Sequence, residues 1–120
     1  MTTDGRPHAS RYRMSDQKKV VVSPVHFRRG IPGTGANIIE STLAKGGRFA
    51  MHAHENEQFT MVLSGVMRFT FADGSEPITL QAGDIIHIPG HLAHAVEALE
   101  DVVEYDVFCP ARNDLVDKPA

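Results

Sequence analysis

Residues 52–58 read HAHENEQ. The flanking residues alternate in polarity, so the stretch reads as strand. Alternation then puts positions i and i+2 on one face. The imidazoles of His52 and His54 project to the same side, a spacing that can place two nitrogens on one metal ion. Gln58 follows, where a carboxylate would hold a cation more tightly. An H-x-H pair also describes two surface histidines on a polar strand face. The surrounding pattern has to decide.

Outward from this stretch, short apolar runs succeed one another: VVVSP, NIIESTLA, RFAMHAH, QFTMVLSG, VMRFTFADG, PITLQAG, DIIHIPG, HAVEALE and VVEYDVFCP. In VMRFTF, Met67, Phe69 and Phe71 hold one parity while Arg68 and Thr70 hold the other. Asp73-Gly74 marks a tight turn between two such runs. No window of helical length carries a 3.6-residue stripe. Many short strands with regular turns predict an all-β sandwich or barrel. Residues 1–18 are polar, aperiodic and contain Gly5 and Pro7, and are expected to form a mobile tail. Residues 19–112 are expected to form the barrel and residues 113–120 a C-terminal tail.

The chain has 120 residues, 42% hydrophobic and 22% charged, with a formal net charge of -3. That suffices for one domain with a real core. A mildly acidic balance without a basic block argues against nucleic acid or an anionic membrane as partner. No apolar run approaches the ~20 residues that span a bilayer. The N-terminal stretch lacks the apolar segment of a secretory signal. The single cysteine, Cys109, has no internal disulfide partner. A cytoplasmic location is expected.

The spacing of the motif residues carries a resemblance. Gly46 precedes His52 by five intervening residues, Gln58 follows His54 by three, and Gly65 follows Gln58 by six. Downstream, GDIIHIP (83–89) leads after four residues to His94. These match the two signatures of the cupin superfamily, G-x5-H-x-H-x3-E-x6-G and G-x5-P-x-G-x2-H. The resemblance covers about residues 35–109 and implies a single-domain jelly-roll β-barrel. It also implies that His52, His54, Gln58 and His94 converge on one divalent metal ion. Three positions depart from the pattern. Gln58 stands for the acid, His91 for the second-motif glycine, and Ala98 for a late asparagine. The last two concern turn geometry; the first concerns chemistry.

The stretch from Ile88 to Arg112 resembles the KdgF-type cupins of pectin degradation. Those carry glutamine in the first motif and end in D-x-F-x-P-x-R, here Asp106, Phe108, Pro110 and Arg112. The resemblance implies conversion of 4,5-unsaturated uronate monosaccharides to linear ketonised forms. Asp106 and Arg112 would act on the substrate and Phe108 would contact it. The physical reading agrees with a Lewis-acid site. Three imidazoles and an amide leave the ion's charge uncompensated, trading affinity for electrophilicity. Asp106 can move a proton, and Arg112 either offers a fork of donors to a carboxylate or is a surface arginine at the chain end. Two other function classes fit the same residues. One is a three-histidine dioxygenase with open positions for O2; the other is a non-catalytic sugar- or metal-binding module. The donor set suits zinc, nickel, manganese or iron alike. The partner implied is a small molecule, with a carboxylate sugar as the expected substrate. Homodimerisation is implied too, with KVVVSP (19–24) as the expected cover for an open sheet edge.

Other residues take plainer readings. His87 should face outward or an interface, and His91 should sit in a turn. His8 and His26 have no motif context. Cys109 reads as a buried, inert thiol. Met51, Met61 and Met67 are expected in the core or pocket, and Phe59, Phe69 and Phe71 in the barrel core. The pairs Lys18-Lys19 and Arg28-Arg29 read as solvated.

Overall fold

Strand β10 (Val102–Cys109) sits centrally in the larger sheet, and its alternation organises the interior. Val102, Glu104, Asp106 and Phe108 are buried, while Val103, Tyr105 and Val107 are half-buried on the other face. β10 pairs antiparallel with β3 (Asn37–Leu43) on one side and β5 (Glu57–Ser64) on the other. Outside β3 lie β2 (His26–Ile31) and then β1 (Val20–Ser23), and β8 (Ile85–Ile88) lies outside β5. The smaller sheet runs in the order β4 (Arg48–His52), β9 (His94–Ala98), β6 (Val66–Phe71), β7 (Ile78–Gln81). In this computed structural model, which describes residues 5–117, every strand pair is antiparallel. Two sheets with non-sequential neighbours facing one core form the all-β jelly-roll barrel that the sequence predicts.

Register divides the interior along the strands. Leu43, Val102 and Val62 belong to an apolar cluster with Met67, Phe69 and Ile88. Moving along β10, Glu104 pairs with Ser41 of β3, and Asp106 pairs with Thr60 of β5. Phe108 pairs with Asn37 and Gln58. One half of the barrel is therefore a packed apolar core. The inward positions of the other half carry His26, Arg28, Ser41, Gln58, Thr60 and His94, all buried. Burial of polar side chains without partners is costly, so this half needs a hydrogen-bonding purpose.

The ends of the chain add short helical pieces. Met14–Asp16 form a 3-10 turn. Helix α1 (Asp114–Asp117) buries Leu115 against Ile39 and Phe108. The expected tails reach residues 1–4 and 118–120, which lie outside the described residues. The run Lys19–Pro24 pairs through β1 with β2 of its own chain, Val20 opposite Arg28 and Val21 opposite Phe27.

Several side chains lie elsewhere than expected. Gln58, Thr60 and Val62 take the inward parity of β5, which turns Phe59 outward, where it is 43% exposed. Side-chain period two leaves no alternative once that register is set. Cys109 is exposed rather than buried, because it follows Phe108 at the strand end and points to the outer face. Met51 is exposed. Arg28 is buried, not solvated, because β2 turns His26, Arg28 and Gly30 inward.

Two turn positions give a stability prediction. Gly65 has φ +86, and a Cβ there would lie 2.0 Å from the Asp101 carbonyl oxygen. His91, at the motif's glycine position, holds φ 70 as a non-glycine residue. Gly65→Ala should cost more than about 2 kcal/mol, and His91→Gly should gain about 0.5–1 kcal/mol. Chemical denaturation measures both; an unchanged Gly65→Ala variant would contradict the turn geometry.

Candidate metal centre and its cavity

The histidines meet because β4 and β9 pair with His52 opposite His94. His54 follows two residues later, where the chain leaves the strand. Its carbonyl accepts the His91 backbone N–H at 2.7 Å. The buried Asn56 side chain donates to the Pro110 carbonyl at 2.6 Å, which ties this loop to the end of β10. The ring centroids of His52 and His94 are 4.5 Å apart, those of His54 and His94 5.2 Å, and those of His52 and His54 5.7 Å. One nitrogen from each ring lies within 4.8 Å of the others. The burial is graded: His52 is exposed, His54 is partly buried, and His94 is 1% exposed.

Each ring is oriented by a backbone carbonyl two residues away. Nδ1 lies 2.8 Å from the Ala50 oxygen in His52, 2.9 Å from the Asn56 oxygen in His54, and 2.8 Å from the Leu92 oxygen in His94. A carbonyl only accepts, so Nδ1 carries the hydrogen in all three rings. A neutral imidazole then presents its lone pair at Nε2. A hydrogen-bond acceptor on Nδ1 is how proteins commonly set the tautomer of a metal-binding histidine. Burial, with smaller contributions from His52 and His54, lowers the His94 pKa, which favours the neutral ligand form.

Gln58 closes this wall. Its Oε1 lies 3.1 Å from His54 Nε2. The amide orientation follows from its neighbours. Thr60 Oγ1 donates to Asp106 Oδ1 at 2.6 Å. Having given its one proton, Thr60 accepts from Gln58 Nε2 at 2.9 Å. Gln58 Nε2 also approaches Asp106 Oδ1 at 3.4 Å. Gln58 Oε1 and His54 Nε2 therefore turn lone pairs toward each other, an arrangement that a cation satisfies. The donors fit a divalent transition-metal ion.

These side chains line a cavity of about 400 Å³. Asp106, Phe108 and Arg112 line it too. Phe108 stands between His54, edge to face at 5.7 Å, and the Arg112 guanidinium, 5.9 Å from the Phe108 ring. The Arg112 backbone is clamped by Asn37, whose Oδ1 accepts its N–H at 2.6 Å. Its side chain donates to Asp114 through Nε and Nη2, at 3.4 and 2.9 Å. That pairing with Arg112 holds Asp114 below the usual carboxylate range. Asp106 makes no ion pair with Arg112; its partners are Thr60, Gln58 and Glu104.

All seven residues singled out from the sequence border this one cavity: His52, His54, Gln58, His94, Asp106, Phe108 and Arg112. Three further residues are missing from that reading. Glu104, 2% exposed, hydrogen-bonds to Asp106 and has no partner for Oε2 among the described residues. Burial first, then the Asp106 charge, pushes Glu104 well above the usual carboxylate range. Burial also raises Asp106, with hydrogen bonds from Glu104, Thr60 and Gln58 working the other way. Arg28 and His26 complete the cavity on the β2 side. Burial and the nearby Arg28 charge lower His26 to about 4, so it is neutral. The signal for Glu104 lay in the sequence, two residues before Asp106 on the same strand face. His87, by contrast, faces outward and pairs with Glu57 at 2.7 Å.

The family model for the cupin domain matches residues 39–108. No curated protein matches the sequence. Among solved structures, KdgF from Halomonas sp. is 25% identical, with TM-score 0.80 over 88% of this chain and 99% of that one. An RmlC-like cupin from Shewanella frigidimarina is 24% identical, with TM-score 0.79 over 88% and 94%. Oxalate decarboxylase from Bacillus subtilis, in work on its Mn(II) centers, is 20% identical, with TM-score 0.76. The match spans 88% of this chain and 31% of the decarboxylase. The likenesses to the RmlC-like protein and the decarboxylase establish shared fold alone. Among the described residues no helix is long and apolar enough to cross a membrane.

Two predictions follow from the site's geometry. His52→Ala and His94→Ala should each strip most divalent metal from protein purified without chelators, because few donors remain to compensate. Elemental analysis checks this, and full occupancy in both variants would contradict it. The second concerns pH. Glu104 has a folded-state pKa above its unfolded value, so the folded protein binds the extra proton. Its contribution is complete below the unfolded value and is lost as pH rises through the folded one. Glu104→Gln should therefore melt increasingly above the wild type as pH rises from mildly acidic to alkaline. A melting difference independent of pH would contradict the buried neutral acid.

Proposed function

The chain belongs to the cupin family, and we propose that it is a metal-dependent enzyme converting 4,5-unsaturated uronate monosaccharides to their linear ketonised forms. The observation that carries this reading is the composition of one cavity. Three Nε2 lone pairs, a buried carboxyl pair and two guanidinium groups border the same space. The likeness to KdgF over nearly the whole of both chains supports it.

In this reading His52, His54, Gln58 and His94 hold one divalent ion: zinc, nickel, manganese or iron. When bound, the ion supplies a Lewis acid for a substrate hydroxyl or carbonyl oxygen. The conversion is an isomerisation. The anomeric hydroxyl loses a proton and C1 becomes an aldehyde as the C1–O5 bond breaks. The C4=C5 electrons take up a proton at C4, and C5 becomes a ketone. One proton leaves oxygen and one arrives on carbon, so a single acid–base group suffices. Asp106 is that group. Thr60 and Gln58 fix its orientation, and burial raises its affinity for the proton it must carry. Phe108 gives the sugar an apolar surface. Arg112 binds the substrate carboxylate with the donors that Asp114 leaves over.

Two copies pairing through strand edges complete the proposal; β1, from the KVVVSP run, is the outermost strand of the larger sheet on that side. A monomer at micromolar concentration by light scattering would contradict this last point. The conversion itself is tested on metal-loaded protein with an unsaturated galacturonate, by loss of the substrate's ultraviolet absorbance. Asp106→Asn should lower kcat by ~10²–10⁴ with metal content and melting temperature preserved. Wild-type turnover in that variant would contradict the role of Asp106. Substrate loss coupled to oxygen uptake would instead favour dioxygenase chemistry.

A further inference from the structure

The cavity uses none of residues 5–19. Residues 5–13 are exposed throughout and belong to no strand or helix. Met14–Asp16 lie against β2, and the chain then enters β1. The molecule measures 50 × 27 × 25 Å, nearly twice as long as it is wide, in keeping with an arm that does not fold back onto the barrel. Fully extended, residues 5–18 reach at most about 46 Å.

Charge is divided between this arm and the barrel. Residues 1–19 hold five Lys and Arg against two acids, and residues 20–120 hold seven against thirteen. The first segment is therefore net +3 and the second net -6, which together give the -3 of the whole chain. Among the described residues no carboxylate pairs with Arg11, Arg13 or Lys18. Tyr12, half exposed, stands between the two arginines.

The outer face of β5 and β8 offers the complement. Register sets Met61 between Tyr105 and Ile85, and Phe59 between Val107 and His87. Phe59, Leu63 and Ile85 are exposed there, Ile85 at 62%. Exposed carboxylates flank the patch: Glu57 shares the parity of Phe59, and Asp84 precedes Ile85. Beyond β8 the larger sheet has no further strand among the described residues. An apolar patch rimmed by charge marks an interaction surface. An aromatic residue flanked by guanidinium groups is the kind of segment that such surfaces take. The chain's own arm leaves this face open, since Tyr12 and Phe59 are both exposed.

We propose that the N-terminal arm of one copy docks on the outer β5–β8 face of a second copy, with Tyr12 on the patch of Phe59 and Ile85, and Arg11 and Arg13 against Glu57 and Asp84. This rests on the pairing of two copies proposed above and adds a second contact to the strand edges. Under two-fold symmetry each copy gives an arm and receives one, so every substitution acts at two places.

Sedimentation equilibrium of the full chain measures the dissociation constant of the pair. Tyr12→Ala should raise it by at least about tenfold, and so should Arg11→Glu combined with Arg13→Glu. Glu57→Lys combined with Asp84→Lys should weaken the pair similarly, and adding these to the two arginine changes should restore most of the affinity. Asp84 also accepts the Gln81 backbone N–H, so Glu57→Lys alone serves if the Asp84 variant does not fold. A wild-type dimer whose dissociation constant is unaltered by Tyr12→Ala and by the arginine changes would overturn the arm and keep the edge pairing. Weakening by the arginine changes without recovery in the charge swap would overturn this docking face. A monomeric wild type at micromolar concentration would overturn arm and edge pairing together. An arm-dependent dimer whose β1 amides exchange no more slowly than those of the monomer keeps the arm and removes the edge pairing.

Discussion

Three hydrogen bonds from imidazole Nδ1 to backbone carbonyls set what this barrel can do. Ala50, Asn56 and Leu92 each hold one ring in the tautomer that turns Nε2 inward. The carbonyls belong to the strand and turn backbone, so the ring orientations are as rigid as the β4–β9 pairing that brings His52 opposite His94. Gln58, Thr60 and Asp106 continue the same logic on the facing sheet. Each has its lone pairs or protons assigned by a neighbour. Orientation built into rigid elements is what a Lewis-acid site requires, because its donors must not reorganise during the reaction.

This arrangement burdens the fold. In a small barrel the inward positions are the only core positions, and among the described residues 10 buried ones are polar against 14 that are apolar. Buried carboxyl groups at Glu104 and Asp106, with a buried guanidinium at Arg28, would cost far more if left uncompensated. The apolar half around Met67, Phe69 and Ile88 offsets that cost, and the hydrogen-bond chain reduces it. A shared proton between Glu104 and Asp106 is the cheapest way to keep two acids side by side away from water.

Much of this was legible in the sequence, and the limits have physical causes. Alternation and turn dipeptides sufficed for the all-β barrel, and motif spacing sufficed to bring His52, His54, Gln58 and His94 to one place. Parity errors account for most of the rest. Phe59 looks like core until Gln58 and Thr60 claim the inward face of β5. Cys109 looks buried until the strand ends beside it. Arg28 lies in HFRRGI, where the apolar Phe27 and Ile31 hold the opposite parity, so the local pattern points to the wrong face. Glu104 shares the parity of Asp106, yet a charged residue on a strand reads as solvated unless its neighbours across the sheet are known. The partners Ser41 and Arg28 are supplied by register, which a single sequence does not reveal.

The central claim is that three histidines present Nε2 lone pairs to one divalent ion. Nitrogen-15 NMR of the histidine side chains, before and after one equivalent of zinc, tests it most directly. His52, His54 and His94 should be Nδ1–H tautomers without metal, and all three Nε2 resonances should shift together when zinc is added. Nε2–H tautomers in the metal-free protein, or three spectra unmoved by zinc, would contradict it.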